Sequence, residues 1–178
     1  MTTLILSIGI PGSGKTTILK KLALENNFEY ISPDDIRKEM FGREDDHTYD
    51  KIVWNEARKR VTNLLEAKHD VAFDSTFSNR ERRRRFIHDA KKAGAQTVEG
   101  LFFDIPLEEI LQRNASREKS VAEEYLQTAY AELQSEPPSA EDGFDSLFRV
   151  DLDGDFKQLF ATNDPVLPGL YVVYNNPQ

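Results

Sequence analysis

The chain contains no cysteine. Disulfides and thiolate zinc sites are therefore excluded, and a reducing compartment is the natural reading. Only three histidines occur, His47, His69 and His88, and their spacing matches no metal-ligand set. Long apolar runs are missing as well: nothing approaches the ~20 residues that a membrane helix needs. The N-terminus has no basic start, and Lys15 interrupts its apolar stretch, so no signal peptide is expected. These absences predict a soluble, cytoplasmic protein with no membrane partner. Bases are outnumbered, 23 against 31 acids, for a net charge of −8, which argues weakly against a nucleic-acid partner. The imbalance is local, however. Glu132–Asp155 holds eight acids and one base, Arg149, whereas residues 80–92 hold five Arg and two Lys against Glu81 and Asp89. With 178 residues, the chain suits one domain with a real core and leaves no room for a second.

What is present is an alternation of apolar strands and amphipathic helices. Leu4–Gly9 reads as a buried strand, Thr16–Glu25 as a helix and 29–31 as a short strand. Ser32-Pro33 has the form of an N-cap followed by Pro in the first turn. Tyr49, Ile52, Val53, Ala57, Val61, Leu64 and Leu65 recur at helical spacing over Thr48–Lys68. Strand Asp70–Asp74 precedes a basic helix, Ser78–Ala93, closed by Gly94. Strand Thr97–Ile105 and a helix over Pro106–Ser116 follow. Ser120 and Glu123 have the spacing of a capping box for a helix ending near Leu133. Glu136–Gly143 reads as a loop, and Phe144–Leu152 and Gly169–Tyr174 as late strands. Such alternation predicts an α/β fold with a parallel sheet covered on both faces. Ligands of such folds bind beyond the carboxyl ends of the strands, so Gly9, Ser32–Arg37, Asp74–Thr76 and the segment after Ile105 should share one rim.

Gly9 to Thr16 reads GIPGSGKT. It satisfies G-x-x-x-x-G-K-[ST] between a strand and a helix, the context this motif requires. Gly12, Ser13 and Gly14 let backbone N–H groups turn toward an anion, and the helix N-terminus adds its dipole. Lys15 would reach the β- and γ-phosphates, Thr16 would offer its hydroxyl to Mg²⁺, and Thr17 extends the nucleotide-binding turn. The loop does not separate kinases from GTPases and mechanical ATPases. Missing N-K-x-D and L-S-G-G signatures argue against the latter two, and the short chain suits a small kinase.

Phosphoryl transfer to a hydroxyl needs a carboxylate that orients the hydroxyl and takes its proton. Asp34 and Asp35 stand at the rim, although acids in a first helical turn also complement the dipole. Asp74 ends its strand where it can hold Mg²⁺ through water or bind the acceptor, while Asp70 at the strand's start reads as a capping or solvated acid. Arg113 and Arg117, four apart near a helix end, should share a face and neutralise phosphate charge as the segment closes; cations also favour helix C-termini. Lys119 fits either role. Arg80 and Arg82–Arg85 can track a phosphate backbone, or form a solvated helix face. Asp151-Leu152-Asp153-Gly154 echoes a phosphatase D-x-D-G, but too little chain follows it, and a strand end with a turn fits better. Asn114-Ala115-Ser116 is a glycosylation triplet without a secretory context.

GIPGSGKTT, SPDDIR, DST before an arginine-rich helix, and LQRNASRE before another helix together resemble the P-loop kinase family that includes phage-type 5′-hydroxyl polynucleotide kinases. The resemblance spans roughly residues 1–150. It implies a P-loop three-layer sandwich, one kinase domain over 1–178 with an arginine-bearing lid near 113–133. It further implies γ-phosphate transfer from ATP, with Mg²⁺, to a 5′-OH end of DNA or RNA, as in end repair. By that resemblance Lys15 and Thr16 bind ATP and Mg²⁺, Asp34 rather than Asp35 is the general base, and Arg37, Asp74, Thr76 and Arg82 hold the acceptor. Arg117 becomes the lid arginine, with Arg113 beside it on the nucleotide. Many relatives carry Asn after D-x-T; here Phe77 follows, an aromatic suited to stacking on a terminal base. A small-molecule kinase acting on a nucleoside, sugar or antibiotic is the alternative, and a non-catalytic nucleotide switch a third.

Overall fold

In the computed structural model, which describes residues 1–117, 120–162 and 165–166, six strands form one sheet in the order β2-β3-β1-β4-β5-β6. The strands are β1 (Thr3–Ile8), β2 (Glu29–Ile31), β3 (Val71–Phe73), β4 (Thr97–Phe103), β5 (Ser146–Val150) and β6 (Phe156–Ala161). All neighbours pair in parallel except β5 and β6, which are antiparallel. Every residue of β1 and β4 is buried, as a parallel sheet with helices on both faces requires. The helices are α1 (Lys15–Asn26), α2 (Pro33–Phe41), α3 (Asp50–Glu66), α4 (Arg80–Lys92), α5 (Leu107–Ala115) and α6 (Glu123–Ser135). β1 lies between β3 and β4, so the strand order reverses at the end of β1. That reversal opens the crevice where α/β folds bind ligands.

Element boundaries follow local chemistry. Ser32 accepts from the backbone N–H groups of Asp34 and Asp35 and starts α2 with Pro33 in its first turn. Asp70, expected to be a cap or solvated, instead accepts the Thr3 N–H at 2.6 Å and pins β1 to β3. The capping box expected at Ser120 and Glu123 does not form: Ala122 precedes α6 without a side-chain cap. The expected loop over 136–143 contains a 3₁₀ turn at Ala140–Asp142. The sequence also gave no warning of β6. Three of its six residues are exposed and three half-buried, as on an edge strand, and Lys157 and Gln158 break the apolar run by which buried strands are recognised. The turn Asp151–Gly154 launches β6, the Asp151 carboxylate accepting from the Asp153 and Asp155 N–H groups. The strand expected at 169–174 and Lys119 lie outside the described residues.

Phe77 corrects another expectation. It is 5 % exposed and packs with Phe73, Trp54 and Phe86 at ring centroid distances of 5.2–5.9 Å. It is core, unable to stack on a ligand, and it adopts a left-handed φ of 45°, a costly state for an aromatic residue. The aromatic cluster holds it there, immediately after Asp74–Thr76.

The two opposite charge runs meet. Arg83 is the largest fully buried side chain. It pairs with Asp142 at 2.8 Å and donates to the carbonyls of Phe77, Ser78 and Glu136. Arg80 pairs with Asp142 and Glu141, and Lys91 with Asp145. Ser78 and Asn79 donate to Glu132 and hold its carboxyl below the usual range. The acidic segment thus takes up Arg80, Arg83 and Lys91 of the basic helix, and the buried Arg83 does not track a phosphate backbone; Arg85 pairs with Glu81 at the surface. Breaking a buried ion pair strands the remaining charge, at a cost of about 3–5 kcal/mol. Arg83→Ala should therefore lower unfolding stability by that order in urea melts. Arg85→Ala, whose ion pair is exposed, should leave the midpoint almost unmoved.

Candidate active site

The phosphate loop leaves β1 through Gly9, whose N–H donates to the Thr76 carbonyl at 3.0 Å. A Cβ on Gly9 would lie 2.7 Å from the Ser13 hydroxyl oxygen and 2.9 Å from the Phe103 Cβ, so only glycine fits the exit of the strand. Gly12 and Gly14 take φ values of 89° and 90°, open to glycine and strained for other residues. Ser13 is buried with its hydroxyl unpartnered. Lys15 is half-buried; its Nζ lies 3.5 Å from the Ile10 carbonyl oxygen. Burial lowers the Lys15 pKa, the charges of Asp74 and Asp34 oppose that shift, and the charge of Arg117 adds to it. Lys15 and Arg117 thus repel one another electrostatically, a repulsion that a bound anion would relieve.

Asp74 lies at the centre of the loop's base, 5 % exposed. Its Oδ1 accepts from Ser7 Oγ at 2.8 Å, and its Oδ2 accepts from Thr16 Oγ1 at 2.6 Å and from the Tyr30 hydroxyl at 2.7 Å. Burial and the Asp74 charge raise the Tyr30 pKa well above its ordinary value, so Tyr30 stays a donor. Asp74 therefore faces Thr16. Ser7 and Tyr30 escaped sequence reading because their partner is far along the chain.

Asp34 and Asp35 diverge. Asp35 pairs with Lys20 of α1 at 3.2 Å. Asp34 is 71 % exposed and accepts from Arg37 at 2.6 Å. The Arg37 side chain is only 3 % exposed, also gripping Asp50 Oδ1 through two nitrogens at 2.7 and 3.1 Å and the Glu44 carbonyl at 2.9 Å. Burial works against its charge, but the hydrogen bonds to Asp34 and Asp50 outweigh it and raise the pKa. Arg37, expected to hold an acceptor, holds Asp34 instead. Thr76 is half-buried and Arg82 exposed, and sequence reading passed over Tyr125 of α6, which is 52 % exposed. Burial raises the Tyr125 pKa, the charges of Asp34 and Asp50 add to that shift, and the charge of Arg82 opposes it. An aromatic placed one position outside the inward face Leu126, Ala129 and Leu133 was the available signal.

The two lid arginines also part. α5 ends at Ala115, so Arg117 lies beyond the helix and the expected shared face does not form. Arg113 pairs with Glu109 at 2.8 Å and comes within 4.0 Å of the Cβ position at Gly14. It lines a cavity of about 320 Å³ with Gly14, Thr17, Ile18, Asp151 and Gly154. The D-x-D-G turn, unassigned by sequence, is thus a wall of the space beside the phosphate loop. Asn114 is buried and exchanges two 2.8 Å hydrogen bonds with the Val121 backbone. That clamp ties the two ends of the Arg117 segment together, and it explains Asn114 without any sugar.

A phosphate loop at the switch point of a parallel sheet, with a carboxylate on its Thr and Arg113 beside its Gly14, defines a P-loop nucleotide-binding site. Residues 4–136 match the AAA domain family AAA_33, and the chain belongs to that family. The fold is similar to a chain of the Pnkp1/Rnl/Hen1 RNA repair complex, with TM-score 0.68 and 22 % identity over 93 % of this chain; this chain spans 50 % of that one. A putative kinase from Chloroflexus aurantiacus matches over 99 % of both chains with TM-score 0.66 and 18 % identity. A sugar kinase from Janibacter matches with TM-score 0.59 and 23 % identity over 87 % of this chain and 88 % of that one. The family implies nucleotide binding. Among the described residues, no helix is long and apolar enough to cross a membrane.

Proposed function

We propose that this kinase transfers the γ-phosphate of ATP to the 5′-hydroxyl end of DNA or RNA. The observation that carries this reading is the openness of the candidate base: Asp34 is 71 % exposed, so that a chain end can approach it, and Arg82 is exposed as well. The fold shared with a chain of an RNA repair complex supports it.

In this reading the backbone of Gly12–Thr16, the Lys15 ammonium and Arg117 receive the β- and γ-phosphates, and the nucleoside occupies the space between Arg113, Thr17 and the Asp151–Gly154 turn. Thr16 and Asp74 are a donor pair suited to Mg²⁺, one hydroxyl and one carboxylate with their oxygens 2.6 Å apart; the ion, when bound, neutralises phosphate charge. Asp74 thus serves the metal side rather than the acceptor. Asp34 accepts the proton of the acceptor hydroxyl as its oxygen bonds to the γ-phosphorus. The bond from that phosphorus to the bridging oxygen breaks, and ADP leaves. Arg37 is a positioning residue: it holds Asp34 against Asp50. Arg82 binds a phosphate of the acceptor.

A small-molecule kinase is the second reading. It is favoured by the pairing of Arg80 and Arg83 with Asp142, which takes two arginines out of the basic track a polymer would use. The deciding experiment offers labelled ATP with 5′-OH oligonucleotides and with a panel of nucleosides and sugars. Labelled oligonucleotide, with an acceptor KM that rises with salt by counterion release, is the expected result. Label only on a small acceptor at saturating enzyme would end the polynucleotide reading.

A further inference from the structure

We infer that Asp50, at the start of α3, is a positioning residue for the candidate base: it fixes Asp34 from a second helix, through Arg37, and shares the charge of the guanidinium that does so. The inference rests on the reading of Asp34 as the general base and holds for either class of acceptor.

Asp34 needs such an anchor. It lies in the first turn of α2 with its side chain largely exposed, where a carboxylate can turn freely. Arg37, one turn along the same helix, donates to its Oδ1 at 2.6 Å. An arginine is long and flexible, so it orients a partner only where it is itself held. The hold comes from outside α2. Nε and Nη2 of Arg37 both donate to Asp50 Oδ1, at 3.1 and 2.7 Å. Nη1 also donates to the Glu44 carbonyl at 2.9 Å. The buried guanidinium is thus gripped along its far edge, and only then can its near edge set the Asp34 carboxylate.

Asp50 has a firm mount. It is the first residue of α3, where the helix dipole favours a carboxylate. Its Oδ1 and Oδ2 lie 3.2 and 3.0 Å from His47 Nδ1. Tyr49, the residue before it, stacks on Phe41 at the end of α2, with ring centroids 4.5 Å apart and planes 17° apart. Arg60 of α3 pairs with Glu39 of α2 at 2.8 Å. These contacts fix the start of α3 against α2, so Arg37 spans two elements whose spacing is set. Charge gives a second reason. Facing one carboxylate alone, a guanidinium would oppose the uptake of a proton there. Asp50 takes a share of the Arg37 charge, so the cation that orients the base is not spent wholly on it.

The test measures kcat and the KM for ATP with a 5′-OH oligonucleotide, or with whichever nucleoside or sugar takes label in its place. The variants are Asp50→Asn and Asp50→Ala, each alone and combined with Asp34→Asn. Asp50→Ala should lower kcat on the order of 10- to 100-fold, as misplacing a reacting group by about an ångström does, with the KM for ATP nearly unmoved. Asp50→Asn keeps an oxygen for Arg37 but not the charge, and should fall between Asp50→Ala and the wild type. In the Asp34→Asn background both substitutions should leave kcat almost unchanged, because no base remains to be positioned. General damage to the fold would slow both backgrounds alike. A wild-type kcat in Asp50→Ala would overturn the inference alone. So would equal slowing in the two backgrounds, or an effect confined to the KM for ATP. A near-normal kcat in Asp34→Asn would overturn the reading of Asp34 as the base, and label on none of the acceptors would overturn the kinase reading; either result takes this inference with it.

Discussion

Asp34→Asn should lower kcat by roughly 10²- to 10⁴-fold, the usual contribution of a positioned general base, while ATP binding stays nearly unchanged. The substitution separates chemistry from architecture. Asn keeps an oxygen that accepts from Arg37, so the buried guanidinium retains Asp34's replacement, Asp50 and the Glu44 carbonyl as partners. What is lost is the ability to take a proton. Asp34→Ala should be at least as slow, and it also withdraws one partner from Arg37, whose side chain is 3 % exposed. Steady-state rates with a separate nucleotide-binding titration measure both quantities. A near-normal rate in Asp34→Asn would remove Asp34 from the role. Asp35 would be a poor replacement, because it is turned onto Lys20 of α1.

Arg117→Ala should cost on the order of 10³-fold in kcat, as loss of an arginine acting on a transferred phosphoryl group does. Arg117 acts on the Lys15 ammonium, lowering its pKa, in a setting where burial already does so. Two cations drawn together around a glycine-rich anion loop repel one another until phosphate charge lies between them. That charge is greatest on the equatorial oxygens during transfer, so the benefit falls mainly on the transition state. Arg113→Ala should differ in kind. Arg113 borders the cavity formed with Thr17, Asp151 and Gly154, so its loss should raise the KM for ATP with a smaller effect on kcat. Paired kcat and KM measurements on the two variants distinguish the roles. Equal effects on both parameters in both variants would dissolve the distinction.

Much of the phosphate loop was legible because its information is local. Gly9 to Thr17 is one continuous stretch, and its function depends on backbone N–H groups, a strand before and a helix after. The core strands Thr3–Ile8 and Thr97–Phe103 were equally plain, since burial on both faces leaves an uninterrupted apolar run. Edge strand β6 was not legible, for the opposite reason. The lid was misread at one point: spacing placed Arg113 and Arg117 on a common helix face, but α5 stops at Ala115, and Asn114 spends its side chain on the Val121 backbone. That stop depends on a contact seven residues away, which no helical periodicity encodes.

Charge was the least transferable signal. Counted along the chain, the arginines of 80–85 form a basic run and 132–155 an acidic one. In space Arg80 and Arg83 meet Glu141 and Asp142, and only part of the run remains for a ligand. Which arginine points inward is set by the helix phase and by what packs beneath it.

The sequence by itself determined the phosphate loop, the alternation that builds a parallel sheet, and the rim on which Gly9, Ser32–Arg37 and Asp74–Thr76 meet. Tertiary structure alone decided that Asp74 faces Thr16, that Arg37 is buried behind Asp34, and that Phe77 is packed into the aromatic core. Local motifs are written in neighbouring residues. Contacts such as Thr16 with Asp74 join residues far apart in sequence, and only folding brings them within hydrogen-bond reach.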